Sequence, residues 1–564
     1  MHALIAFCFI AAFAACYVIP YRLGLGSEGS YFTFGYVGDE YTYAERLQPL
    51  IAGTTASNPV NGVCDPHVVS QYFLEDLARA AVTVSGMHVI TFVWVWRIVF
   101  CILLALLIAG LSLAVVQRRR AGMWTLRLAA SAAAFSLLYC MYDLVTAFPP
   151  LQGWLNRFPT NVEFLLSVAL AWSFLRFVSA PQIRQGVILA LVSVGAVYLR
   201  PYVVLPWAPV VAGGTIYLLL ARRLEMRVAI ATLATLLVAL APWIGIAYWN
   251  NGLEVHQQMM KRYMLIPLAA YRVHPRWMVL LGSAALLSLS AWKLPAQRIL
   301  LAGGAAILVV LTFVSGLFGF SREIVLYDRY GTFYLVLILI AGLGLISKLS
   351  MRWRGRDGLQ SARAAATALC AASLLCSASL GWRNWNYDLE KYPFGPLPAV
   401  RQDLKFLKCY EWVRDHTPAD ALFVVDDGVD WSAENRARNG RAVGDKFMFM
   451  QNDLFQLVAQ RRKVHSLRLY GNALSDSDLA LLWTVQFGII GTQDDSELPG
   501  LWLFHYGTGR NPCALATALQ RFPPDYIFWR TGLKDSRGRR EQLRAEAEIV
   551  YSDENCEIWR LKKK

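Results

Sequence analysis

Long apolar runs separated by short polar segments fill the first two thirds of the chain. An α-helix needs about 20 mostly apolar residues to cross the hydrocarbon core of a bilayer, and most of these runs reach or approach that length. The pattern therefore predicts about eleven transmembrane helices. The runs lie near residues 2–19, 89–116, 127–147, 162–178, 186–199, 202–220, 228–249, 277–292, 299–318, 332–349 and 364–381.

The run at 186–199 is short, and Arg200-Pro201 separates it from the run at 202–220. The residue before a proline is driven out of the helical region, so a helix tends to stop there. We predict a broken or re-entrant helix at this point, and the number of helices between 186 and 220 stays open.

Basic residues are concentrated in every second loop between the apolar runs, for example in Arg118-Arg119-Arg120 and in Arg222-Arg223. Loops rich in Lys and Arg stay in the cytoplasm. The alternation predicts a cytoplasmic N-terminus and an extracytoplasmic chain after residue 382, as in an integral protein of a bacterial inner membrane. Because these loops account for much of the formal charge of +15, we expect membrane lipids and no nucleic acid as partners.

The chain divides into a membrane domain, 1–382, and a segment of soluble composition, 383–564. The first extracytoplasmic loop of the membrane domain is 20–88. In the soluble segment, periodicity predicts helices near 401–416, 476–487 and 512–521, and strands at Ala421–Val425, 525–529, 547–551 and 556–561. The predicted fold class is a polytopic α-helical membrane protein with a C-terminal extracytoplasmic α/β domain.

Six of the ten cysteines fall in apolar runs and resemble small hydrophobic residues. The other four show neither CxxC nor His/Cys metal spacing, which gives no support to a zinc or redox centre. If this region lies outside the cytoplasm, Cys513 and Cys556 can form a disulfide, although sequence alone does not fix the pairing.

Adjacent carboxylates occur in the first extracytoplasmic loop, in Gly38-Asp39-Glu40. They precede a short amphipathic helix predicted to lie along the membrane surface, with Tyr43, Leu47, Leu50 and Ile51 on one side. Asp39 can cap this helix, with Glu40 favoured by the helix dipole. Alternatively, one carboxylate faces an apolar cavity, where its pKa rises and it serves as a general base. The two roles are compatible.

A set of basic residues lies in loops predicted to be extracytoplasmic, where orientation does not explain them. Such a ring at the mouth of a helical bundle suits phosphate binding, and the alternative is that these side chains snorkel to the interface. The candidates are His256, Lys261, Arg262, Arg322 and Arg329.

Two arginines, Arg97 and Arg200, lie within or between apolar runs. A charge inside the membrane is costly unless it is paired. We therefore predict a structural ion pair with Asp39, Asp143 or Glu163.

The layout resembles the GT-C superfamily of integral-membrane glycosyltransferases, with its protein O-mannosyltransferase-like and aminoarabinose-transferase-like branches nearest. The resemblance rests on Gly38-Asp39-Glu40 in the first outside loop and on Asp328-Arg329-Tyr330 before a late helix. It also rests on Arg414–Ala421 at the start of the outer domain and on the closing hairpin at 547–561. No WWDYG-like element occurs, which disfavours an oligosaccharyltransferase.

The resemblance implies transfer of a sugar from a polyprenyl-phosphate-linked donor to a lipid, glycan or protein acceptor on the extracytoplasmic face, with inversion. Asp39 would deprotonate the acceptor, and Glu40 would orient it or share a divalent cation such as Mg²⁺ or Mn²⁺. Arg329, with Lys261 or Arg262, would hold the phosphate of the carrier as negative charge develops on it.

Two other functions are compatible with the sequence. One is a transporter or flippase for a lipid-linked saccharide, although such proteins often show repeated halves and no convincing repeat is found. The other is a catalytically inactive GT-C-like scaffold that recruits a partner through residues 383–564.

Overall fold

The computed structural model describes residues 47–50, 73–116, 158, 160–255, 257, 333, 336–337, 340, 405–425, 454–464, 475–490, 515–531 and 539–562. In the first part of the chain, five helices coincide with predicted apolar runs, and one shorter helix precedes them. They are α1 Phe73–Ser85, α2 Val89–Val116, α3 Thr160–Ser179, α4 Ile183–Leu199, α5 Pro201–Leu220 and α6 Met226–Asn251. The helices predicted from these five runs are confirmed, whereas α1 was not predicted.

Two of the described helical segments, Asn161–Ser179 and Met226–Asn251, are long and apolar enough to cross a membrane on length and composition. The first is mostly buried in the protein and the second is not. The architecture of about eleven spans stays a prediction, because the other predicted spans beyond α6 lie largely outside the described residues.

Side-chain contacts define the relative directions of α2 and α3. Near the start of both helices, Trp96 Nε1 donates a hydrogen bond of 3.0 Å to Asn161 Oδ1. Further along both, Trp172 packs against Gly110. The two helices therefore run parallel, as they must if one further span connects them.

The direction of α4 is opposite to that of α3, because Arg200 just after α4 meets Glu163 in the first turn of α3. Tyr198 near the end of α4 donates a hydrogen bond of 3.2 Å to the carbonyl of Ala239 in α6. Gly186 near the start of α4 packs on Thr232 near the start of α6. Helices α4 and α6 are therefore parallel and pack directly on each other, and α5, which connects them in sequence, runs in the opposite direction. These directions are those that the predicted alternation of spans requires.

The close approach of α4 and α6 depends on Gly186. A Cβ atom at this position would lie 2.0 Å from Oγ1 of Thr232, well inside van der Waals contact. Glycine therefore allows the two helices to pack at this short distance.

The predicted break between α4 and α5 is confirmed and consists of a single residue. Arg200 has φ −154° and ψ 86°, and Pro201 begins α5. Proline disfavours the helical conformation for the residue before it and suits the first position of a helix. The Arg-Pro pair thus ends one helix and starts the next.

The C-terminal part contains helices and strands in alternation. They are α7 Leu407–His416, β1 Leu422–Val425, α8 Leu454–Ala459, β2 Arg462–Lys463, α9 Asp476–Ile490, α10 Leu515–Arg521, β3 Tyr526–Arg530, α11 Arg539–Leu543, β4 Ala547–Ser552 and β5 Cys556–Leu561. The predicted strands and the final hairpin are confirmed, and α7, α9 and α10 match the predicted helices within a few residues. The short elements α8, β2 and α11 were not predicted.

The five strands form one mixed sheet in the order β2-β1-β3-β5-β4. Strand β1 is parallel to β2 and β3, and β5 is antiparallel to β3 and β4. Strand residues alternate between two faces, so that Phe423 and Val424 enter different hydrophobic clusters. Helices α7 and α8 cover the face of Phe423, and α9 and α10 cover the face of Val424.

A buried arginine caps the C-terminal end of α7. The guanidinium of Arg461 donates hydrogen bonds to the carbonyl of Thr417 at 2.7 Å, to Oγ1 of Thr417 at 3.1 Å and to the carbonyl of Arg414. Burial lowers the pKa of Arg461 from its usual value, although nearby Asp415 opposes this effect. The cation satisfies carbonyl groups that have no partner within the helix.

The Phe423 face of the sheet also packs against the first part of the chain. One continuous hydrophobic cluster joins α7, α8 and this face to residues of the first loop, of α1 and of the starts of α2 and α3. The contributing residues from the first part include Leu47, Leu74, Ala78, Val82, Val89, Ile90, Val93, Phe158 and Val162.

This cluster includes one residue of the predicted membrane-surface helix, most of which lies outside the described residues. Leu47 is helical and fully buried in the cluster, residues 48–50 after it are not helical, and Leu50 is exposed. Gln48 Nε2 donates a hydrogen bond of 3.3 Å to the carbonyl of Gln456 in α8. The apolar side of this segment is thus covered by protein at Leu47, whereas the sequence pattern suggested lipid.

Candidate functional site

The two ends of the helical bundle differ chemically. We call the end where α2 and α3 begin, and where the bundle meets the sheet, the domain end. At the opposite end, which we call the basic end, five exposed arginines lie in the first or last turn of a helix or in the connection after α5. They are Arg176, Arg184, Arg222, Arg223 and Arg227.

A buried ion pair lies at the domain end. Nη2 and Nε of Arg200 approach Oε1 of Glu163 at 2.8 and 2.9 Å, and the two side chains are 5% and 4% exposed. Arg200 is presented by the break between α4 and α5, and Glu163 by the first turn of α3. This contact confirms one of the predicted pairings for Arg200, while the side chain of Arg97 lies outside the described residues.

The pair contributes little net stability, because removing two charges from water offsets most of their attraction. Glu163 also lies in the first turn of α3, where the positive end of the helix dipole attracts negative side chains. The arrangement therefore holds a carboxylate and a guanidinium in fixed positions, away from bulk water.

Asn161 extends this polar cluster by one further donor. Its Oδ1 accepts the hydrogen bond from Trp96, and the side chain is fully buried. Its Nδ2 has no hydrogen-bond partner among the described residues. A buried amide donor without an acceptor is costly, and it can bind an oxygen of a ligand or of water. The sequence signal for this cluster is two polar residues, Asn161 and Glu163, at the start of an apolar run.

The outer domain carries a disulfide between Cys409 in α7 and Cys556 in β5. The sequence left open a pairing of Cys513 with Cys556; in the structure Cys556 is bonded to Cys409, and Cys513 lies outside the described residues. The pairing follows from packing, because α7 lies on the face of the sheet to which Cys556 points. A buried disulfide is typical of proteins outside the cytoplasm.

Asp553 lies beside the disulfide. Its Oδ2 is 3.3 Å from Cys409 Sγ and accepts a hydrogen bond of 3.1 Å from the hydroxyl of Tyr551. Burial, together with this carboxylate, raises the pKa of Tyr551. Within the described part of the chain, Cys409, Asp553 and Cys556 are the group compact enough for a metal, but bonded sulfurs offer no thiolate ligands.

All the residues predicted to carry chemistry lie outside the described residues, so their roles stay predictions. They are Asp39, Glu40, His256, Lys261, Arg262, Arg322 and Arg329. The possible divalent cation at Asp39 and Glu40 has the same standing.

Comparison with known proteins gives no assignment of family: no protein-family model matches the chain, and a search of curated proteins finds no significant match.

Proposed function

We propose that this chain is an integral-membrane glycosyltransferase that moves a sugar from a polyprenyl-phosphate-linked donor to an acceptor on the extracytoplasmic face. The observation that carries the proposal is the hydrophobic cluster shared by the first loop, the domain end of the bundle and the outer domain. It brings these three parts together, as a transfer reaction on one face of a membrane would require.

The first supporting step concerns Asp39 and Glu40. Leu47, which follows them in the first loop, is fully buried against the outer domain. Eight residues of chain span at most about 28 Å. The carboxylates proposed as base and orienting group therefore belong to a loop that is anchored at the domain end.

The second supporting step concerns orientation. The exposed arginines of the basic end suit the cytoplasmic side. The disulfide of the outer domain suits an oxidising compartment, and it lies on the other side of the bundle. Both features favour a domain end that faces away from the cytoplasm.

The third supporting step concerns the chemistry of the domain end. Glu163, Arg200 and Asn161 are polar groups held there in a buried setting. Fixed polar groups in a site that excludes water stabilise developing charge more strongly than water does. The proposed phosphate-binding residues, Arg329 with Lys261 or Arg262, would add positive charge for the carrier.

The test is transfer from a radiolabelled polyprenyl-phosphate sugar in membranes that contain the full-length chain. Asp39→Asn should lower transfer about 10²–10⁴-fold, which is the usual contribution of a general base. Asp415→Asn is the matched control, because it removes an exposed carboxylate of the outer domain and should leave transfer unchanged. Resistance to trypsin equal to that of the wild type reports that each variant folds.

Near-wild-type transfer by Asp39→Asn would reject Asp39 as the base. Uptake of the labelled lipid into vesicles without a covalent product would reject the transferase and favour a transporter. Mass spectrometry of lipids that copurify with the chain is an independent check, and a polyprenyl phosphate lost in Arg329→Ala is the expected result.

A further inference from the structure

Helix α1 exposes an apolar face. Leu77 is 60% exposed and Val84 89% exposed, and Ala81 between them is also exposed. Positions 77, 81 and 84 follow one another at the spacing of a single helical face. A contiguous uncharged stripe of this kind in contact with water is unfavourable, so it indicates a partner.

The opposite face of α1 belongs to the shared hydrophobic cluster. Leu74, Ala78 and Val82 pack there, and the side chains of Glu75 and Arg79 are buried as well. The protein therefore covers the side of α1 that carries its buried charges and leaves an apolar side uncovered.

Both ends of α1 lie at the domain end of the bundle. At its start, the ring of Phe73 is 5.2 Å from the ring of Tyr198, in the last turn of α4. Its end leads through Gly86, whose φ of +63° suits glycine, to the start of α2 at Val89. A helix of 13 residues is about 20 Å long. Helix α1 thus runs across the end of the bundle and not along it.

Helix α2, which follows α1, also exposes apolar residues. Val95, Val99, Ile102 and Leu106 are between 37% and 64% exposed and recur every three or four residues. They form an apolar stripe along the outside of a 28-residue helix. Tyr248 and Trp249 are exposed near the end of α6, which also lies at the domain end. Tyrosine and tryptophan are enriched where a membrane meets water.

We propose that the face of α1 formed by Leu77, Ala81 and Val84 lies in the interface of the extracytoplasmic leaflet and contacts phospholipid acyl chains. Interfacial helices bury an apolar face to a depth of about 5–10 Å while they lie in the membrane plane. The proposal rests on the membrane placement given with the proposed function. It assigns the membrane-surface role to α1, in place of the segment around Leu47.

Photo-crosslinking in nanodiscs of phosphatidylethanolamine and phosphatidylglycerol tests this contact with the full-length chain. The photoreactive residue p-benzoylphenylalanine replaces Leu77 or Val84, and mass spectrometry detects lipid adducts after irradiation. Val238, 76% exposed on α6, is the positive control. Ile549, 46% exposed on β4 of the outer domain, is the matched negative control. We expect adducts at 77 and 84 at least tenfold above those at 549.

Adducts at 238 but none above background at 77 and 84 would overturn the lipid contact while leaving the membrane placement intact. Absence of adducts at 238 as well would overturn the membrane placement and this proposal together. Cross-links from 77 or 84 to a protein, whether a second copy or a different chain, in place of lipid would also reject the proposal. Trypsin-resistant material with an intact Cys409–Cys556 bond confirms that each substituted chain is folded.

Discussion

Removal of the Cys409–Cys556 disulfide should strongly destabilise the outer domain. The two cysteines are 147 residues apart, and the bond closes a loop that contains strands β1 to β4. In the chain-entropy model, a cross-link over this separation restricts the unfolded chain by about 5 kcal/mol at 25 °C. Native disulfides in small secreted domains are worth about 2–5 kcal/mol when they are removed, so this bond belongs at the upper end.

The assay is pulse proteolysis of the full-length chain in nanodiscs over a urea series, with cleavage of the outer domain as the readout. The double variant Cys409→Ala/Cys556→Ala is compared with the wild type. With an unfolding slope of about 1–3 kcal/mol per molar urea, the midpoint should fall by about 2–5 M. Addition of a reductant to the wild type should produce a similar change.

Cys513→Ala is the control that separates the two pairings. It should leave the midpoint unchanged, because Cys556 is bonded to Cys409. A fall in the midpoint for Cys513→Ala equal to that of the double variant would contradict the observed pairing. The entropic argument would be refuted if the urea midpoint of the double variant lay within about 0.5 M of the wild-type midpoint, which is roughly the resolution of such data.

Three further predictions concern the bundle and are measured on the purified chain. Glu163→Gln leaves the buried guanidinium of Arg200 without its carboxylate and should lower the free energy of unfolding, measured by thermal unfolding, by about 3–5 kcal/mol. The double variant Glu163→Leu/Arg200→Met should lower it by less, because no unpaired charge stays buried. Equal losses for the two variants would contradict the desolvation argument. Gly186→Ala should cost about 1–3 kcal/mol by forcing α4 from α6, whereas Gly195→Ala, with nothing within 4 Å of the new methyl group, should be close to neutral. Nδ1 of His88 accepts a hydrogen bond from the backbone N–H of Ile90 in the first turn of α2. The side chain keeps an exposed part, and its partial burial lowers the pKa of this histidine from its usual value of 6.5. The stabilisation is therefore present above pH 6.5 and is lost as the pH falls through the folded-state pKa. Hydrogen exchange in the first turn of α2, corrected for intrinsic rate, should accelerate as the pH is lowered from about 7.5 to about 5.5, a range that brackets about 6.5. The control variant His88→Asn should show a corrected rate that does not depend on pH. A pH-independent corrected rate in the wild type would contradict the prediction.

The pattern of the sequence determined most of the local structure that can be compared. The run at 228–249 became α6, and the apolar segment Ala421–Val425 became β1. The Arg200-Pro201 break was also predictable, because it depends on the covalent geometry of proline and acts within one residue. Short elements such as α8 were missed because six residues carry too little periodicity to be distinguished.

The candidate site was predictable only in part. A buried partner for Arg200 followed from the cost of an isolated charge, but three carboxylates met that requirement equally. The parallel packing of α2 and α3 and the return of α4 selected Glu163. Asn161 was missed, because nothing local indicates that its amide is buried beside Trp96. The roles of Asp39 and Arg329 stay predictions for the transfer assay.

Sequence by itself determined which segments avoid water, where most of the longer helices and strands lie, and which loops carry positive charge. Only the tertiary structure decided which surfaces the apolar residues contact in place of water. Leu47 and Leu77 are both apolar residues of the first predicted outside loop, yet the outer domain covers Leu47 and leaves Leu77 exposed. The same holds for Cys556, whose partner is distant in sequence. Hydrophobicity records the gain from leaving water and is not directional, so the identity of the contact depends on how distant segments pack.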